Sequence, residues 1–199
     1  MTRPVLRGRR VTLRPLVSAD YAQWRDTRRR NQEWLTPWES RRAPGSPDVV
    51  ESRSAFAARC QARERERQLG TGYGFGVFVG PRLCGEVNVN GVQPGPFHSA
   101  HVGYWIDEAS AGRAYAPESL VVLFRHAFEE LRLHRLQIAI IPRNKASRRV
   151  VEKLGLRDEG VARRYLEING VWEDHIRFAI TVEEWEERRA ELLAEWVDP

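Results

Sequence analysis

Between Tyr73 and Ile141 the chain changes its hydrophobic period several times, and that succession narrows the fold more than any other feature. The runs YGFGVFVG, RLCGEVNVNGV and SAHVGYWI have strand-like composition and are separated by Gly and Pro turns, as in an antiparallel meander. ASAGRAYA follows and leads into a stretch whose Ala116, Leu120, Leu123, Phe124, Ala127 and Leu131 recur at helical spacing. LQIAII, residues 136–141, is a short uninterrupted apolar run, as expected of a buried strand parallel to its neighbour. Strand, glycine loop, amphipathic helix and strand in succession make a β-loop-α-β crossover. The expected fold class is therefore α/β (α+β).

The flanking segments add elements on both sides. RVTLRPL, residues 10–16, alternates like a half-buried first strand, and Ser18, Asp20 and Tyr21 open a polar helix. A charged helix is expected over 48–68, with Val50, Phe56 and Ala57 as its apolar positions. NKASRRVVEKLG reads as a short helix with Asn144 near its cap, Val150, Val151 and Leu154 facing inward and Gly155 at its end. VARRYLEINGVWEDHIRFAI alternates on both sides of Asn169-Gly170, a strong hairpin signal. The last twenty residues form a charged helix with Trp185, Leu192 and Leu193 on one side. At 199 residues the chain suits one domain, residues 1–199, with a mixed sheet of about seven strands and flanking helices.

No stretch approaches the roughly 20 apolar residues of a membrane span. The basic N-terminus lacks the apolar run of a signal peptide, so the cytoplasm is the expected location. Cys60 and Cys84 are the only cysteines and lie outside any metal-ligand spacing, so neither a disulfide nor a metal site is expected. A net charge of +5 favours anionic ligands, including nucleotide cofactors. The arginines come with no nucleic-acid-binding motif, and no sequence-specific nucleic-acid contact is expected.

The chemistry is concentrated in two places. Gly112 and the small Ala114 precede a helix, so backbone N–H groups from Gly112 through Arg113, Ala114, Tyr115 and Ala116 can face a pyrophosphate with the helix dipole behind them. An ordinary strand-to-helix turn has the same appearance. The spacing to NKASRRVVEKLGL decides between them. GYWI, GRAYA and IIPRNKASRRVVEKLGL together resemble the cofactor-binding half of GNAT acetyltransferases, and most closely the ribosomal-protein alanine N-acetyltransferases of RimJ and RimL type. Two further motifs of that subgroup, NQEWLTPWES and INGVWEDH, appear in order before and after NKASRRVVEKLGL. Ala109 departs from the Gln or Arg that opens the subgroup's cofactor loop, and Ser40 and Leu156 are smaller departures from Pro and Phe.

The resemblance implies acetyl-CoA as co-substrate and direct transfer to an amine, with no acyl-enzyme. It implies that the strand ending in Trp105 and Ile106 splays from its parallel neighbour, that pantetheine fills the gap, and that an N–H near Ile106 holds the oxyanion. Asn144 and Ser147 would contact the cofactor arm, with Ser147 hydrogen-bonding the departing sulfur. Helix capping explains the same residues. Many GNAT enzymes place a tyrosine acid four residues after that serine; here the position is Val151.

The general base stays open among Glu86, His101, Glu167 and Asp174, each of which can also be structural. An α-amine costs about 1.4 kcal/mol to deprotonate at pH 7 and a lysine amine about 4.6 kcal/mol, so an N-terminal acceptor needs the weaker base. Trp34, Pro37, Trp38 and Glu39 fall where the fold borders its acceptor groove, and suit an ammonium group through cation–π and ionic contact. Tyr104, Tyr165, Trp172 and Asp174 are further candidates for the acceptor wall, though the aromatic residues also serve as packing. His98, His126 and His134 are expected at the surface or at helix ends. The implied function is acetylation of a protein N-terminus, with a ribosomal protein as the expected acceptor, by a monomer or homodimer. A small-amine acetyltransferase and a catalytically silent acetyl-CoA- or ribosome-binding module are the alternatives.

Overall fold

The computed structural model describes residues 3–198. Its strands are β1 Leu6–Arg7, β2 Val11–Arg14, β3 Gly72–Val79, β4 Arg82–Gln93, β5 Ser99–Ile106, β6 Arg135–Ile140, β7 Arg157–Ile168 and β8 Val171–Thr181. They form one eight-stranded sheet in the order β1-β2-β3-β4-β5-β6-β8-β7, antiparallel except for β5 beside β6. The extra strand relative to the expected seven is β1, two residues long and too short to leave a period in the sequence.

The helices are α1 Tyr21–Arg30, α2 Gln32–Leu35, α3 Arg53–Leu69, α4 Tyr115–Arg125, α5 Lys145–Lys153 and α6 Val182–Trp196. The helix expected from residue 48 starts later because Asp48 folds the chain into a turn. Its Oδ1 accepts the Val50 N–H at 2.9 Å, and Ser52 then caps α3 by accepting the Ala55 N–H at 3.2 Å. The helix expected to run to Leu131 ends at Arg125 and continues as a single wide turn, His126–Glu130. That turn corrects one expectation: His126 is buried, with its ring edge-on to Tyr73 at 6.0 Å and Phe75 at 5.8 Å.

One face of the sheet carries the main core. Leu120, Leu123 and Phe124 of α4, Val151 of α5 and Trp185 and Leu192 of α6 pack there with Val87, Val89, Leu136 and Ile180. Each such buried side chain contributes about 1.5–3 kcal/mol relative to exposure. The opposite face is covered by α1 and α3 through a smaller cluster of Trp24, Phe56, Phe78 and Leu83. A shift in the β3–β4 register, which leaves Cys84 unmatched, lets Leu83 and Glu86 share that face although they are three residues apart. At the far end the β7–β8 hairpin turns through Asn169 and Gly170, both with positive φ (47° and 84°). That is the geometry of a tight hairpin turn, matching the Asn-Gly signal.

Candidate active site

β5 and β6 pair only at Ser99↔Arg135, Ala100↔Leu136 and His101↔Gln137, whereas β5 stays paired with β4 out to Ile106. The two parallel strands therefore separate beyond His101. The Asp107 N–H donates to the Cys84 carbonyl at 2.8 Å. Alternation from that pair turns the N–H and C=O of Tyr104 and Ile106 away from β4 and into the gap. The Ile106 carbonyl accepts from Trp34 Nε1 at 3.2 Å. The Ile106 N–H and both backbone groups of Tyr104 line the opening, where an extended arm bearing amides can satisfy them. Gly85 holds this geometry, because a Cβ there would lie 2.1 Å from the Trp105 carbonyl oxygen.

The loop beyond β5 fits a diphosphate. Gly112 has φ +76° with open space where a Cβ would stand, and Ala114 also has positive φ, at 62°. No side chain caps α4, so its first N–H groups are presented to a ligand. Residues 108 positions apart brace this loop. Glu118, fully buried on α4, accepts the Val11 N–H at 2.9 Å and Arg10 Nε at 2.9 Å, and Arg10 Nη1 donates to the Arg113 carbonyl at 3.0 Å. The Arg10 guanidinium also lies 5.1 Å from the Tyr115 ring. This brace has no local signal in the sequence, since its members sit in unrelated segments.

Ser147 and Tyr104 meet at the gap. Ser147 Oγ donates to the Tyr104 hydroxyl at 2.8 Å, and that hydroxyl donates to the Ser147 carbonyl at 3.0 Å. Tyr104 was expected in the acceptor wall; strand alternation instead puts it on the α4–α5 face, opposite Trp105. Burial pushes its phenol above the usual range, partly opposed by the bond from Ser147, so it stays protonated. Val151 carries no hydroxyl and is fully buried, so the phenol beside Ser147 is that of Tyr104 on β5. Asn144 Oδ1 caps α5 by accepting the Ser147 N–H at 3.1 Å. Capping and placement of the hydroxyl are one arrangement here.

The expected bases are dispersed. Burial alone would raise the Glu86 carboxyl, but the Arg59 charge and hydrogen bonds from Trp24 and Arg59 hold it below the usual range. Trp24 Nε1 sits 2.7 Å and Arg59 2.5 Å from its oxygens, which commits Glu86 to packing α1 and α3 rather than to proton transfer. His101 stands at the closed end of the gap, about 13 Å of strand from Trp105 at 3.3 Å per residue. Burial and the Arg135 charge push it below its usual value. Glu167 is exposed, and Asp174 Oδ1 accepts the Arg164 N–H at 2.8 Å inside its own hairpin.

The NQEWLTPWES segment packs beside the end of β5. Asn31 donates to Asp107 Oδ1 at 2.8 Å and accepts the Glu108 N–H at 2.8 Å, tying this segment to the end of β5. Trp34 reaches Ile106 as described. The Arg143 guanidinium, just beyond β6, lies 4.9 Å from the Trp38 ring, and Arg143 also bonds Glu173 at 2.5 Å. Glu39 differs from expectation: its carboxylate is held by Arg28 at 2.7 and 2.6 Å, while its carbonyl accepts the Asn169 N–H at 2.8 Å. Arg28 in turn lies 5.2 Å from the Trp105 ring. Tyr165 packs edge-on to His175 at 5.8 Å, and Trp172 is exposed at the hairpin tip.

Residues 10–157 match the family model described as "Acetyltransferase (GNAT) domain". The "Probable N-acetyltransferase YjcK" of Bacillus subtilis is 33% identical over 178 residues, covering 88% of this chain and 96% of that protein. The "[Ribosomal protein uS5]-alanine N-acetyltransferase" of Escherichia coli is 29% identical over 182 residues, 88% of this chain and 90% of that protein. Among solved structures, Mycobacterium smegmatis RimJ in complex with CoA-disulfide superposes with a TM-score of 0.86 at 31% identity, over 97% of this chain and 93% of that one. The splayed strands, the glycine loop and these likenesses agree: the chain belongs to the GNAT acetyltransferases and is an acetyl-CoA-dependent N-acetyltransferase.

Proposed function

We propose that the acceptor is the α-amine at the N-terminus of a protein, and that this protein is ribosomal. The observation behind this reading is the mouth of the β5–β6 gap. Trp34 is tied to Ile106 on one side of it and Trp38 faces Arg143 on the other, so one aromatic segment spans the opening. The hairpin turn joins that segment through the Glu39–Asn169 bond. A chain end can enter between two aromatic side chains, and a protonated amine is attracted to their faces. The uS5-alanine acetyltransferase relative supports a protein acceptor.

In this reading the Gly112–Ala116 backbone holds the diphosphate and the gap holds the pantetheine arm. The Ile106 N–H stabilises the oxygen of the thioester as it becomes anionic. The amine nitrogen forms its bond to the acetyl carbon and gives up a proton, the C–S bond breaks, and one O–H of the Ser147–Tyr104 pair turns from its present acceptor to the departing sulfur. Mass spectrometry of ribosomal-protein N-termini from cells with and without the gene tests the assignment. Loss of one acetyl mark in the deletion strain supports it; an unchanged set of marks, with turnover of small amines by the purified protein, sinks it.

A further inference from the structure

None of the expected bases is placed to act at the open gap, but one ring lies level with it, one strand away. His175 belongs to the INGVWEDH hairpin and is buried on β8. β6 and β8 pair at Ile140↔Ile176, so the residue after Ile140 stands level with His175. Extending the β5–β6 register past His101 brings Trp105 to the same level. Ile176 packs toward the main core, so His175 faces the other side, the side on which Arg28 covers Trp105. Trp105 and His175 therefore lie at one level on the same face of the sheet, with the end of β6 between them.

The ring's protonation pattern is set by the backbone. His175 Nδ1 lies 3.0 Å from the Glu173 carbonyl oxygen. A carbonyl only accepts, so Nδ1 carries the hydrogen and Nε2 is left with the lone pair. Tyr165 of β7 packs edge-on against the ring. Glu173 and Arg177 flank it on β8, and Arg143, beyond β6, pairs with Glu173.

We infer that His175 is the proton acceptor of the transfer, taking the amine proton at Nε2 directly or through one water. Strands about 4.8 Å apart put its backbone about 8 Å from the middle of the gap, a span that an imidazole and a water bridge. The balance is complete. The amine nitrogen bonds the acetyl carbon and releases its proton to Nε2 as the C–S bond breaks; the thiolate takes a proton from a hydroxyl of the Ser147–Tyr104 pair, and solvent then reprotonates that hydroxyl and accepts the proton from Nε2. The inference rests on the groove reading only for the side from which the amine enters, and any accepted amine serves to test it.

The test uses the full chain with acetyl-CoA and a lysine-free peptide beginning with alanine, or a small amine if peptides are not accepted. In the wild type, kcat should show an acid limb, because a protonated Nε2 cannot accept. His175→Gln should lower kcat about a hundredfold, keep the acetyl-CoA Kd within about twofold, and lose that limb of the profile. The deficit should shrink for amines of lower pKa, which a packing defect would not produce. An equal loss for all amines, or a retained pH limb in the variant, overturns the assignment. If His175→Gln does not fold, nitrogen NMR of the wild type decides: hydrogen on Nδ1 supports the proposal, and hydrogen on Nε2 of the neutral ring overturns it.

Discussion

The hydroxyl of Ser147 and the phenol of Tyr104 form a closed pair, Oγ donating to the phenol at 2.8 Å and the phenol to the Ser147 carbonyl at 3.0 Å. Each hydroxyl has one hydrogen and both are committed within the pair, so donation to an anion that develops beside it requires one O–H to turn from its present acceptor. Ser147→Ala and Tyr104→Phe should each lower kcat about 10- to 100-fold, with a smaller effect on acetyl-CoA binding. Because the two act together, the double variant should be little worse than the weaker single one. Thiol release gives kcat and calorimetry gives Kd; full activity in Ser147→Ala with α5 intact would reduce the serine to a capped position.

Gly112 has φ +76°, a conformation that a β-branched residue adopts only under a strain of about 1–3 kcal/mol. The open space at its Cβ position is also where a phosphate would approach. Gly112→Val should therefore raise the acetyl-CoA Kd about tenfold or more. A Kd equal to that of the wild type would remove the loop from the cofactor site.

How much of this is legible beforehand follows from the range of each signal. The crossover over residues 99–141 shows because its period changes are local, and the Asn169-Gly170 turn because two adjacent residues set it. Alternation says that Tyr104 and Trp105 face opposite sides, but not which side holds α5, so Tyr104 reads as an acceptor wall until the structure pairs it with Ser147. Glu39 and Glu86 read as free carboxylates because their arginine partners, Arg28 and Arg59, lie on other helices. The Arg10–Glu118 brace depends wholly on tertiary contact.

Asp107 follows β5 and anchors the start of the NQEWLTPWES segment through Asn31. Burial alone would raise its carboxyl, but hydrogen bonds from Arg30, Asn31 and Arg82 bring it down to about 2. A depressed folded-state pKa adds stability above the unfolded value near 3.9, and that stability is lost as pH falls toward 2. Arg30 and Arg82 are about half exposed, so solvent screening reduces the gain to about 1 kcal/mol. Thermal melts of the wild type should drop between pH 4 and 2, and Asp107→Asn should flatten part of that drop while lowering Tm at pH 7. An identical pH profile in the variant would assign the acid loss to other carboxylates.

If the amine enters at the mouth of the gap, as proposed, acceptor choice should depend on it. A peptide beginning with a small residue should be acetylated at its α-amine and left unmodified at its lysines, because the lysine amine starts about 3 kcal/mol further from its reactive form. A weak base suffices for the first and not for the second. Trp38 should matter to the peptide alone, since its ring faces Arg143 at the acceptor side and the cofactor loop lies beyond β5. Trp38→Ala should raise the peptide KM about tenfold, consistent with losing about 1–2 kcal/mol of aromatic and cationic contact, with the acetyl-CoA Kd unchanged. Peptides, polyamines and aminoglycosides assayed side by side provide the check. A polyamine or aminoglycoside that proves far the better substrate, or a Trp38→Ala variant impaired only in acetyl-CoA binding, would move the acceptor site away from this segment and leave the acetyl transfer itself untouched.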